Sequence, residues 1–87
     1  MKDGFHEKLE KIEKFLPCNI IYYPGPMQIE LFINVNNTPV KFVYDEEYIN
    51  SHDIEDIMLR INDDLFLAGN RINTGGAKWN IMIYVMI

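Results

Sequence analysis

Residues 27–45 read MQIELFINVNNTPVKFVYD, and this stretch decides the fold. Met27, Ile29, Leu31, Ile33 and Val35 alternate with Gln28, Glu30, Phe32, Asn34 and Asn36. Successive side chains of an extended chain point to opposite faces, so a period of two predicts a strand with one face in the core. Asn36-Asn37-Thr38-Pro39 predicts a tight connection, because asparagine tolerates the left-handed region. Val40, Phe42 and Tyr44 then continue the inward alternation on a returning strand. The stretch is a predicted β-hairpin.

Upstream, Pro24-Gly25-Pro26 is a turn signal and CNIIYY, residues 18–23, reads as a short β-branched and aromatic strand. Before it, Phe5, Leu9, Ile12 and Leu16 fall at i, i+4, i+7 and i+11, one stripe of an amphipathic helix over 3–16. Asp3 is its expected N-cap, Glu7–Lys11 and Glu10–Lys14 are supporting pairs, and Pro17 ends it. Downstream, residues 51–68 read as a second helix, capped by Asn50 or Ser51 with Asp53 in its first turn. Ile54, Ile57, Met58, Ile61 and Leu65 are its expected core stripe and Gly69 its expected stop. Residues 70–77 read as a loop. Residues 78–87 read as a last strand with Trp79, Ile81, Ile83, Val85 and Ile87 on one face. Its other face, with Asn80, Met82, Tyr84 and Met86, is also rather apolar.

These elements predict an α+β two-layer sandwich in the order α-β-β-β-α-β, with a mostly antiparallel four-stranded sheet and two helices on one face. The 87 residues fit a single domain, 1–87. The order of the first five elements is similar to that of double-stranded RNA-binding domains. Such domains meet phosphates with basic residues at the start of the second helix. Here that position, 52–57, reads HDIEDI, which is the wrong sign.

Composition narrows the classes further. Thirteen acidic residues against eight basic give −5, which argues against direct binding of duplex nucleic acid. Cys18 is the only cysteine, so there is no internal disulfide framework and no Cys-based zinc cluster. The N-terminal residues mix charges without an apolar core, unlike a secretory signal. The longest apolar run, 81–87, is far short of a bilayer span. A free thiol and no export signal lead to an expected cytoplasmic location, with no membrane partner. The abundance of Ile, Asn, Lys and Tyr is that of low-GC genomes, bacterial or phage.

The charge is concentrated. Between residues 45 and 64 stand Asp45, Glu46, Glu47, Asp53, Glu55, Asp56, Asp63 and Asp64 against Arg60 alone, a local −7. At 100° per residue, Asp53, Asp56, Arg60 and Asp63 fall opposite the Ile54 stripe. Leu59 and Phe66 also fall off that stripe, beside Glu55 and Asp63. An outward Leu–Phe pair fringed by carboxylates is the pattern of a protein-binding patch for a basic partner. The expected partner-binding set is Asp45, Glu46, Glu47, Asp53, Glu55, Asp56, Leu59, Asp63 and Phe66. Carboxylates on a rigid helix also imitate the phosphates of a nucleic acid, so the sharpest expectation is an inhibitor of a nucleic-acid-processing or defence enzyme, phage-encoded or toxin-neutralising. The plain alternative is a solvated helix face laced by Arg60 with Asp56 and Asp64.

Chemistry finds less support. His52 and Asp56 are one turn apart, but two ligands without a convergent third make a poor metal site. Asp45, Glu46 and Glu47 read better as a solvated loop than as an acid–base pair. Cys18 has no base placed by the sequence and reads as a structural thiol. An enzyme is therefore not expected, nor a cofactor. An alternative from another class is a nucleotide or phosphate binder using Arg71, Gly75, Gly76 and Lys78, since glycines let backbone N–H groups converge on an anion. A third is a homodimer covering Met82, Tyr84 and Met86 of the last strand together with Phe32.

Overall fold

The computed structural model describes residues 4–71 and the backbone of 83–86. Its elements are α1 (Phe5–Phe15), β1 (Asn19–Tyr23), β2 (Gln28–Val35), β3 (Thr38–Asp45), α2 (Glu46–Ser51), α3 (Ile54–Arg71) and β4 (Ile83–Met86). The architecture is α+β, with an antiparallel sheet of β1, β2 and β3 and helices against it. Ile83–Met86 run parallel to β3, with Val40 opposite Ile83 and Val43 opposite Met86. Parallel neighbours need a crossover connection, and α2 and α3 lie within this one.

The hairpin forms where the alternation places it. Val35 pairs with Thr38, and the two residues between them, Asn36 and Asn37, have φ of 51° and 65°. Positive φ at both central positions is the turn whose twist matches that of the flanking strands. Ile29, Leu31, Ile33, Val40, Phe42 and Tyr44 are all buried on one face. Met27 is a correction. Its φ is 55°, its N–H donates to the Pro24 carbonyl at 3.2 Å, and it is exposed, so it closes the Pro24–Met27 turn and the strand begins at Gln28. The alternation alone cannot tell a turn residue at the strand's end from its first inward residue.

Leu9 and Ile12 of α1 are buried, with Phe5 and Leu16 packed beside them. Asp3 lies outside the described residues. Gly4 stands at the N-cap, and its N–H donates to Glu7 Oε1 at 3.4 Å. The α1 end reaches β1, where the Ile20 N–H donates to Glu13 Oε2 at 3.2 Å.

The region after the hairpin differs most from expectation. Among the described residues two helices, α2 and α3, follow the hairpin where the sequence predicts one. The acidic stretch at 45–47 is no loop, because β3 passes directly into α2 at Glu46. Asn50 and Ser51 therefore belong to α2 and cap nothing after it. The Asp53 carbonyl accepts the first bond of α3, from the Ile57 N–H at 3.0 Å. Gly69 does not stop α3, which runs on to Arg71. The buried stripe is Ile57, Ile61, Asp64 and Ala68, while Ile54, Met58 and Leu65 are half-buried at its flank. The helix is thus turned so that one carboxylate faces the interior.

Candidate functional site

The candidate site is built on the outward side of α3 and the end of α1. Leu59 and Phe66 of α3 are 64% and 70% exposed, and Leu67 is 55% exposed. Phe15, the last residue of α1, is 61% exposed. Burying such side chains stabilises a fold by roughly 1.5–3 kcal/mol each, and here more than half of that surface stays in water. Glu55, Asp56 and Asp63 are exposed on the same helix, and Asp53 is exposed just before it. An open groove of about 500 Å³ runs between the two helices, lined by Phe15, Ile54, Glu55, Met58, Leu59 and Asn62. Phe15 has no place in the sequence-based set. Its signal is positional: it lies off the Phe5–Leu9–Ile12 stripe and still is large and apolar.

The acidic extension at the start of α2 does not join this groove. Glu46 and Glu47 line a separate one with Met27, Asn50 and Ser51. Glu46 is half-buried and accepts a hydrogen bond from the Tyr22 hydroxyl, while Asp45 and Glu47 are exposed. That bond, together with burial, holds the Tyr22 hydroxyl above its ordinary range.

The inward side of α3 takes up part of the local charge. Asp64 is only 2% exposed, and the Tyr44 hydroxyl donates to its Oδ2 at 2.7 Å. Arg60 Nε lies 3.5 Å from Asp64 Oδ1, so the helix's only base before Arg71 pairs with that buried carboxylate while its side chain stays 41% exposed. Burial first, and the bond to Asp64 second, push the Tyr44 hydroxyl far above its usual pKa. The Tyr44 ring stacks on Tyr48 at 6.2 Å, and Tyr48 packs on His52 at 4.3 Å. Burial raises the Tyr48 pKa as well. His52 Nδ1 lies 2.9 Å from the Tyr48 carbonyl and 3.0 Å from Ser51 Oγ, so it finishes α2.

Lys8 also escapes sequence reading. It is buried, and its ammonium donates to the carbonyls of Ile49 at 2.8 Å and His52 at 2.7 Å, with Asn50 at 3.5 Å. A cation on the last carbonyls of a helix is favourable for the helix dipole, and here it ties α1 to α2. Its signal in the sequence is its place one turn before Ile12, on the inward side of the helix.

Among the described residues no group of three or more His, Cys, Asp or Glu side chains gathers as a metal site. Cys18 is half-buried, and burial with nearby Glu13 pushes its thiol up to about 11. An unactivated thiol of this kind is a poor nucleophile at neutral pH. Of the alternative ligand set, Arg71 is exposed at the end of α3, and Gly75, Gly76 and Lys78 lie outside the described residues. Of the proposed dimer face, Phe32 is half-buried, Met82 lies outside the described residues, and Tyr84 and Met86 are placed only by their register against Lys41 and Val43. No described helix is long and apolar enough to cross a membrane. Neither a protein family, nor a curated protein, nor a solved structure matches the chain.

Proposed function

We propose that this chain is a non-enzymatic interaction module that binds a basic surface of another protein through the outward side of α3. One observation carries the reading. Leu59 and Phe66 stand exposed among Glu55, Asp56 and Asp63, while Arg60 is drawn toward buried Asp64. Exposed large apolar side chains supply affinity once covered, and the carboxylates around them steer a cationic partner and reject an anionic one. In its sharpest form the partner is a nucleic-acid-processing or defence enzyme whose basic groove is filled by the α3 carboxylates in place of phosphates. A cytoplasmic site of action fits the single free thiol.

The test is capture of partners from a cell lysate by the full chain and by the double variant D56K/D63K, with elution by rising salt. The wild-type chain should retain a partner that salt releases, and the double variant should lose it. Unchanged capture with unchanged salt sensitivity removes the proposal.

A further inference from the structure

Resting on that reading, we infer that the partner presents a basic amphipathic helix, seated along α3 with one apolar side chain in the groove beside Phe15. The spacing of two rows on α3 carries this. Leu59 and Phe66 form an apolar row seven residues long, and Asp56 and Asp63 form an acidic row of the same length. At 100° per residue the rows lie about 60° apart around the helix and run parallel to its axis. Each row spans about 10.5 Å at 1.5 Å per residue.

A second helix lying along α3 repeats at the same interval. Its residues i and i+7 share a face and meet Leu59 and Phe66, and basic residues one step around it meet Asp56 and Asp63. An extended segment repeats on one face at about 6.8 and 13.6 Å, and neither interval matches. The side toward α1 adds the end pocket. Among the described residues its lining of Phe15, Ile54, Met58 and Leu59 is apolar, and its one charged member is Glu55. An apolar anchor from the partner enters there, and a basic residue beside that anchor reaches Glu55.

The probes are two synthetic peptides of identical Leu, Lys and Ala content. One places Leu at i, i+4 and i+7 with Lys on the flanks, and its isomer alternates Leu with Lys. Binding to the isotope-labelled full chain is followed by chemical-shift changes and by affinity at several salt concentrations. The helical peptide should bind at least tenfold more tightly than its isomer and shift the signals of Phe15, Met58 and Leu59. L59S should weaken the helical peptide about tenfold and leave the isomer unaffected, and F66S should act likewise, giving a second exposed position. D56K/D63K should weaken both peptides. Equal affinity for the two isomers, or no binding of the helical one, overturns the helical partner. Loss of both peptides on charge reversal alongside that equality leaves the basic-partner reading standing. Indifference of both peptides to D56K/D63K removes the broader reading itself.

Discussion

The space between helices and sheet and the outer ridge of those same helices invert the usual distribution of polarity. Among the described residues two charged side chains lie inside, Lys8 and Asp64, each at most 5% exposed. Outside stand Phe15, Leu59, Phe66 and Leu67, each more than half exposed. The interior charges are matched: Lys8 by the carbonyls that end α2, Asp64 by the Tyr44 hydroxyl and Arg60. Among the described residues no buried side-chain nitrogen or oxygen lacks a partner. The ridge has no such matching. A fold can therefore carry ions inside when their hydrogen bonds are complete, while apolar side chains left mostly outside add little to its own stability. The interior should respond to substitution through stability, and the ridge through binding.

The sharpest break of that contrast is Ile61→Ala, which removes a fully buried side chain from the inward stripe of α3. It should cost about 2–5 kcal/mol, read from the urea midpoint. Tyr44→Phe comes next. It leaves the buried Asp64 carboxylate without its hydroxyl donor and should cost about 1.5–3 kcal/mol. The same variant has a signature in pH. The folded chain holds the Tyr44 proton where the unfolded chain, with its ordinary pKa near 10, gives it up. This stability is complete below about pH 10 and falls above it by up to about 1.4 kcal/mol per pH unit. Urea midpoints between pH 8 and 11.5 should decline less steeply for Tyr44→Phe than for wild type; Tyr48, Tyr22 and the Cys18 thiol, shifted in the same direction, contribute to the remaining slope.

Lys8→Met keeps the volume and removes the donors of the α2 carbonyls. A loss of about 1–3 kcal/mol is expected, with hydrogen exchange in α2 accelerating more than exchange in β2. The smallest effect belongs to the ridge. Leu59→Ser and Phe66→Ser should each stay within about 0.5 kcal/mol of wild type. A loss above about 2 kcal/mol at either position would mean that the side chain is covered by the chain itself.

The hairpin was legible because alternation is a property of the strand alone: Ile29, Leu31, Ile33, Val40, Phe42 and Tyr44 are buried as it requires, and Val35 beside the turn is half-buried. Leu59 and Phe66 were legible as outward residues for a similar reason, since helical angle follows from spacing. The break between α2 and α3 was not. Residues 50–54 read NSHDI, without the glycine or proline that usually marks a stop, and the Lys8 ammonium comes from 41 residues away to finish the first helix. Asp64 shows a different failure. Its place seven residues after Ile57 and three after Ile61 put it on the inward stripe, but an isolated carboxylate is too costly to bury. The Tyr44 hydroxyl, brought near by tertiary packing, joins Arg60 one turn before Asp64 to make the position tolerable.

The contact between Glu13 and the backbone of Ile20 bears on how the protein behaves when crowded. β1 forms one border of the sheet, and a border strand offers spare donors and acceptors to any stray strand that drifts past. One of those donors is already taken by the Glu13 carboxylate, which also sets a negative charge beside the border. Strand-by-strand growth into fibrils is thereby discouraged at that margin by a single side chain, and a leucine there would leave the margin open.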